Sequence, residues 1–196
     1  MTRLTRRASV RRLAALCALP LAACIDEPGD GGGSDDDDGD PGASLTTDVH
    51  HAAARSVGLE WDYRERPGIC LLIDDADDAD PLLEDVGEET EAFVRETDFE
   101  ESVLLYVESI GPDACHDRLE FGEFSTENET VSGEAAVADS AEDDEVCSTV
   151  LTYPRAFVRV TADPLPTHAE MTLTDGNGDQ DTVRSDDDAV ESTATD

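Results

Sequence analysis

The chain has 196 residues, with 49 acidic side chains against 13 basic ones, every one an arginine, for a formal charge of −36. Phosphate binding needs a basic surface, so this balance argues against nucleic acid as a partner. With 38% hydrophobic and 5% aromatic residues, the chain can build one modest core but not a polytopic membrane protein.

Residues 1–12 carry Arg3, Arg6, Arg7, Arg11 and Arg12 and no acid. An apolar run of 11 residues follows and ends in Leu21-Ala22-Ala23-Cys24. A helix of that length falls short of a bilayer core of about 30 Å, and the order of charge, apolar run and small residues is that of a signal peptide. Small residues before Cys24 resemble a lipobox, in which the cysteine takes the lipid and becomes the new N-terminus. Residues 1–23 are therefore predicted to be a signal peptide. The mature chain is then predicted to be anchored to the cell membrane through Cys24, facing the extracellular side. Thr5-Arg6-Arg7 resembles the start of a twin-arginine signal, with Arg6 and Arg7 as the pair and the general secretory route as the alternative.

Residues 24–52 contain Gly31-Gly32-Gly33 and the run Asp35 to Asp38, and read as a disordered acidic linker. Residues 53–184 read as one β-rich domain, and residues 185–196 as a disordered acidic tail. Within the domain the apolar pattern is mostly period two. Residues 57–63 alternate as a half-buried strand, and residues 69–73 form a continuous apolar run suited to a central strand. Asp80-Pro81 looks like a helix start, with Leu82, Leu83, Val86, Phe93 and Val94 on one face and an interruption near Gly87. Further strands are predicted over residues 102–109, 115–124, 131–137, 146–153 and 156–161. Residues 169–174 and 181–184 flank a Gly-Asn-Gly turn as a hairpin. The expected fold is mainly β: a small β-sandwich or partly open barrel with one helix on its side, α+β being the runner-up.

The acidic residues are spread through the strand-like segments. Eight arginines against 49 acids leave residues 24–196 at −41. In salt of about 1 M the Debye length is near 3 Å, so such carboxylates hardly repel one another while they hold water at the surface. The absence of lysine removes long apolar stems from that surface. This composition resembles that of haloarchaeal proteins and implies a high-salt habitat.

Within residues 97–160, Asp98-Phe99 precedes the apolar run 103–107, followed by Gly111-Pro112, residues 119–121, Leu151-Thr152-Tyr153-Pro154 and Val158-Arg159-Val160. This order resembles the C-terminal domain of the PrcB type, found in lipoproteins outside the cytoplasm. Asp113-Ala114-Cys115-His116 departs from the Thr-Gly-Gly-Tyr usual there. The resemblance implies a compact β-domain with a place in a protein complex.

Cys17 leaves with the signal and Cys24 is assigned to the lipid, so Cys70, Cys115 and Cys147 remain in an oxidising compartment. Cys115 and Cys147 each stand beside a loop, and a disulfide between them is preferred, Cys70 with either being the alternative. Cys70, inside an apolar run, then reads as a buried thiol. Asp175, Asn177, Asp179 and Asp181 place oxygens at alternate positions, as in the first half of a calcium-binding loop, with Gln180 where that loop needs glycine. A plain polar hairpin turn is the competing reading, and calcium is the only cofactor considered. His50 and His51 read as exposed linker residues. Asn128-Glu129-Thr130 is a glycosylation sequon in a predicted loop.

The chain has no Gly-x-Ser-x-Gly elbow, His-Glu-x-x-His, phosphate loop or paired-cysteine metal motif, and it is read as non-catalytic. The expected function is that of a membrane-anchored module binding a protein or envelope partner, the alternative being a ligand- or calcium-binding module.

Overall fold

A computed structural model describes residues 45–55, 58–84, 86–141 and 146–187. Arg6, Arg7, Cys24 and the whole predicted signal peptide lie outside the described residues.

Among the described residues, nine strands form two sheets. In chain order they are β1 (Thr46–Arg55), β2 (Gly68–Ile73), β3 (Ser102–Ser109), β4 (Arg118–Phe121), β5 (Ser125–Glu127), β6 (Thr130–Ala138), β7 (Tyr153–Thr161), β8 (His168–Thr174) and β9 (Gln180–Arg184). The first sheet is antiparallel in the order β1-β7-β3-β2. The second runs β4-β6-β8-β9, with β5 hairpinned onto β6 and a parallel pairing between β6 and β8. That parallel pair arises because the chain leaves β6, crosses to the first sheet as β7, and returns as β8.

Period-two alternation sorts the first sheet's side chains into two cores. Cys70, Val103, Leu105, Val107, Ala156, Val158 and Val160 face the second sheet, meeting Leu119, Val131, Ala135, Ala169, Met171, Leu173 and Val183. Ile69, Ile73, Leu104, Tyr106 and Phe157 face the opposite way, onto Ala79, Leu82 and Val94. The sandwich thus carries a helical cover on one face. Because β3 is covered on both faces, all eight of its residues are buried, and residues 103–107 read as an unbroken apolar run.

The helical cover is broken into pieces. Helix α1 (Ala76–Ala79) starts at Asp75, whose side chain accepts the Asp77 amide, and a 3-10 turn follows at Asp80–Leu82 with Pro81 inside it. Helix α2 (Glu88–Arg95) starts after Gly87, whose backbone is extended. Glu88, Glu89 and Glu91 sit in its first turn and Arg95 in its last, which suits the helix dipole. The predicted start at Asp80-Pro81 is therefore corrected. The acidic run before it already forms α1, while proline and Gly87 prevent one continuous helix.

Five further expectations are corrected. The predicted linker reached residue 52, yet Thr46–Arg55 forms β1, whose backbone pairs with β7 from Thr46↔Thr161 to Arg55↔Tyr153. Its polar edge position hid it, because polar residues interrupt its apolar pattern, although Val49 meets one core and Ala52 the other. Residues 58–66 are irregular rather than a strand, Trp61 N donating to Leu59 O at 2.9 Å. Strand β2 lies at the sheet's edge rather than its centre. It is apolar because both its faces are covered. Residues 146–152 form a loop and β7 begins only at Tyr153. Pro154, which lacks an amide hydrogen, is accommodated in that interior strand where β1 bulges between Ala52 and Arg55. At the other end Ser185 still pairs with Ala169, its amide donating to Ala169 O at 2.9 Å, so the ordered chain passes the predicted tail boundary.

Candidate functional site

After β3 the chain makes a tight loop over residues 111–116 and, much later, a second loop over residues 146–152. Hydrogen bonds join the two loops. Gly111 and Thr152 exchange backbone bonds at 2.8 and 3.0 Å, and Ala114 N donates to Ser148 O at 2.9 Å. The Thr152 hydroxyl lies within hydrogen-bond distance of both Asp113 O and His116 O, at 2.9 and 2.7 Å. Cys115 and Cys147 close the junction as a disulfide with a Cα–Cα distance of 5.6 Å. This is the predicted pairing, and Cys70 is the buried free cysteine. A bridge closing 32 residues of sequence contributes about 3 kcal/mol by restricting the unfolded chain. Neither cysteine lies on a strand, since β4 begins only at Arg118.

This junction presents an unusual surface. Val146 is 94% exposed, Val150 52% and Leu151 41%, the three being most of the large apolar side chains exposed among the described residues. Isolated exposed apolar residues need no explanation, but three in one clamped loop of so acidic a molecule do. Beside them Asp113 Oδ1 lies 2.8 Å from His116 Nδ1 and accepts the Cys115 amide at 2.9 Å. The His116 hydrogen bond is the main cause holding the Asp113 carboxyl below the usual carboxylate range.

Beneath the junction β3 carries a buried acid. Glu108 has 0% exposure. Its Oε1 accepts the Leu59 amide at 2.9 Å and the Trp61 indole N–H at 2.8 Å, and its Oε2 accepts the Tyr106 hydroxyl at 2.6 Å. On β7 Arg155 is its register partner, equally enclosed, with its Nε donating to Ala53 O at 2.9 Å. Burial lowers the Arg155 pKa from its ordinary value and raises that of Tyr106, the nearby Glu108 charge adding to the second shift. The tyrosine therefore stays protonated and able to donate. Gly58 is required in the covering segment, because a Cβ there would run into the Tyr153 ring. The alternation seen over residues 57–63 is thus the signature of a segment half covering a sheet, tied down by a carboxylate. Val57 lies outside the described residues.

His50 and His51 are corrected from exposed linker residues to strand residues on opposite faces of β1. His50 stacks on Phe93, with ring centroids 5.0 Å apart, and bonds Thr90 at 2.9 Å. His51 turns toward Phe121 and lines a shallow open groove with Ala52, Ala53, Ala54, Asp117, Arg118 and Ser140. Its Nδ1 is buried without a hydrogen-bond partner, and desolvation, helped by Arg118 and His50, lowers its pKa.

The predicted calcium loop is a hairpin turn between β8 and β9. Asp175 is 6% exposed, and its Oδ1 accepts the amides of Asn177 and Asp179 at 2.8 and 3.0 Å. The Asn177 side chain donates to Asp175 Oδ2 at 3.4 Å, and Asp181 Oδ1 accepts the Thr182 amide at 2.8 Å. Gly178 supplies the left-handed turn residue, with φ of +88°. Asp175, Asp179 and Asp181 do not converge. Among the described residues, the group of three potential ligands within 4.8 Å is Asp113, Cys115 and Cys147 instead. The carboxylate at position 175 accepts backbone amides of its own turn. Asn128 sits where predicted, in an exposed two-residue turn between β5 and β6, with φ of 50° for Asn128 and 61° for Glu129.

The sequence reading missed Glu108, hidden as one acid among 49. Its one available signal was its place directly after the apolar run 103–107. Comparison with protein families, characterised proteins and solved structures found no match for the chain.

Proposed function

We propose that this is a lipid-anchored, non-catalytic binding module of the cell exterior, adapted to high salt, which engages a protein partner through the loop over residues 146–152. The carrying observation is that Val146, Val150 and Leu151 are exposed together on a loop clamped by a disulfide and by backbone bonds to residues 111–114. Pre-ordering a contact loop lowers the entropy lost on binding. The lipobox ending in Cys24 and the resemblance to the PrcB-type domain support the placement at the membrane surface and the role in an assembly.

The test is in-cell cross-linking from residue 148, comparing the wild-type chain with a Val146→Asp, Val150→Asp, Leu151→Asp variant. All three side chains face solvent, so the variant should melt as the wild type does and lose its cross-linked adduct. An adduct that survives the triple change rules this loop out as the contact. For the anchor, Cys24→Ser should move the protein from the membrane fraction to the soluble fraction. Unchanged partitioning would remove the lipoprotein reading.

A further inference from the structure

The three potential ligand atoms of Asp113, Cys115 and Cys147 all lie within 4.8 Å of one another. Tetrahedral zinc, with Zn–S near 2.3 Å and Zn–O near 2.0–2.2 Å, holds its ligands roughly 3.5–3.8 Å apart, inside that limit, and the two sulfurs can take that spacing only once their bond is broken. The Cα–Cα distance of 5.6 Å brings both sulfurs to one point without backbone movement. In the disulfide the sulfurs are bonded to each other and carry no thiolate charge, so the pair cannot act as anionic ligands.

We propose that the reduced Cys115–Cys147 pair, together with Asp113, forms a binding site for a thiolate-preferring divalent cation of the zinc class, which the disulfide excludes. Reduction by a phosphine consumes one water, breaks the S–S bond, and yields two thiols and the phosphine oxide. Zinc binding then releases two protons and forms two Zn–S bonds. Two thiolates and one carboxylate supply three negative charges to the ion, and water takes the fourth position. His116 is a positioning residue. Its Nδ1 lies 2.8 Å from Asp113 Oδ1, the carboxylate–histidine pairing that orients metal ligands elsewhere.

Bonds other than the disulfide also hold the parts of the site together. Ala114 N to Ser148 O, the paired bonds of Gly111 with Thr152, and Ser140 N to Cys115 O at 2.8 Å all hold the two loops without using a sulfur atom. So do the Thr152 hydroxyl contacts with Asp113 O and His116 O. The ligands are thus preorganised by backbone as well as by the sulfur bridge. Sequence motifs hide such a site, since the cysteines are separated by 32 positions and the third ligand is one acid among many. The inference does not rest on the partner-binding reading and reads out on metal alone.

The experiment titrates cobalt, as a spectroscopic stand-in for zinc, into the full chain in high salt, oxidised and phosphine-reduced. The reduced protein should show a thiolate-to-cobalt charge-transfer band saturating at one equivalent and abolished by zinc, and the oxidised protein none. Cys70→Ala should leave the band intact, and Cys115→Ser with Cys147→Ser should abolish it. His116→Gln should weaken binding about 10- to 100-fold while the band keeps its shape. Circular dichroism on the same samples follows folding. If reduction unfolds the chain, recovery of the folded spectrum on adding zinc supports the site, and failure to recover overturns it. A band that is absent, that persists in the double serine variant, or that is lost in Cys70→Ala also overturns it.

Discussion

A carboxylate sealed inside a protein is costly unless its oxygens are occupied, and Glu108 has three donors and a buried arginine beside it. Removing it leaves Arg155 enclosed without its register partner and frees the segment that carries Leu59 and Trp61. Glu108→Ala should cost about 3–5 kcal/mol, read by chemical denaturation in high salt. A loss under 1 kcal/mol would mean that hydrophobic cover, not the carboxylate, holds that segment. His51 makes a second case, with the opposite charge. Its pKa is lowered in the fold by desolvation first, then by Arg118 and His50. Below the ordinary value of 6.5 the unfolded chain therefore binds the proton more readily than the native one. The native state is favoured above 6.5 and loses that advantage as pH falls toward the folded value. His51→Gln should flatten the decline in melting temperature between pH 7 and about 5. A parallel decline in both proteins would assign the acid sensitivity to other groups.

The β5–β6 hairpin illustrates how an element can be strained at a single position. Its two-residue turn places Asn128 at φ 50° and Glu129 at φ 61°. The turn matches the twist of the flanking strands, and asparagine tolerates the left-handed region, but glutamate does not do so readily. Glu129→Gly should stabilise the domain by about 1 kcal/mol and preserve the sequon Asn128-x-Thr130. Equal or lower stability would show that the Glu129 side chain contributes more than its backbone costs. Its carbonyl accepts the amides of Thr167 and His168 at 2.8 and 3.2 Å, which docks the hairpin on the start of β8 and is retained in the glycine variant.

For the whole molecule, charge dominates. A net −36 over 196 residues produces strong self-repulsion when salt is dilute. Among the described residues few ion pairs offset it, and several of those, such as Arg184–Glu170 and Arg95–Glu91, lie at the surface where each is worth little. The melting temperature should fall steeply as salt drops from molar to about 0.1 M, where the Debye length grows to about 10 Å. Identical melts at the two concentrations would show that the acidity serves something other than salt tolerance.

Local patterning was enough to locate the strands whose faces are consistently covered. Residues 102–109 coincide with β3, residues 69–73 fall within β2, and the hairpin around Gly176-Asn177-Gly178 joins β8 to β9. Each carries its own burial period or turn residue, and so does the mainly β class of the fold. The Cys115–Cys147 pair was legible too, because few thiols remained to choose from. Contacts distant in sequence decided the rest. Polar strand β1 is a strand because β7 offers it an edge, with Val49 opposite Val158, although nothing in Thr46–His51 alternates strongly. Residues 58–66 alternate like a strand but find no edge, and instead anchor to Glu108 across nearly fifty residues of sequence. Asp175 sits in a calcium-like spacing, yet the hairpin directs its carboxylate to its own backbone. The cluster of Asp113, Cys115 and Cys147 appears only when the two loops are brought together. Periodicity records which face of a segment is buried, whereas pairing partners and converging ligands depend on where the rest of the chain lies.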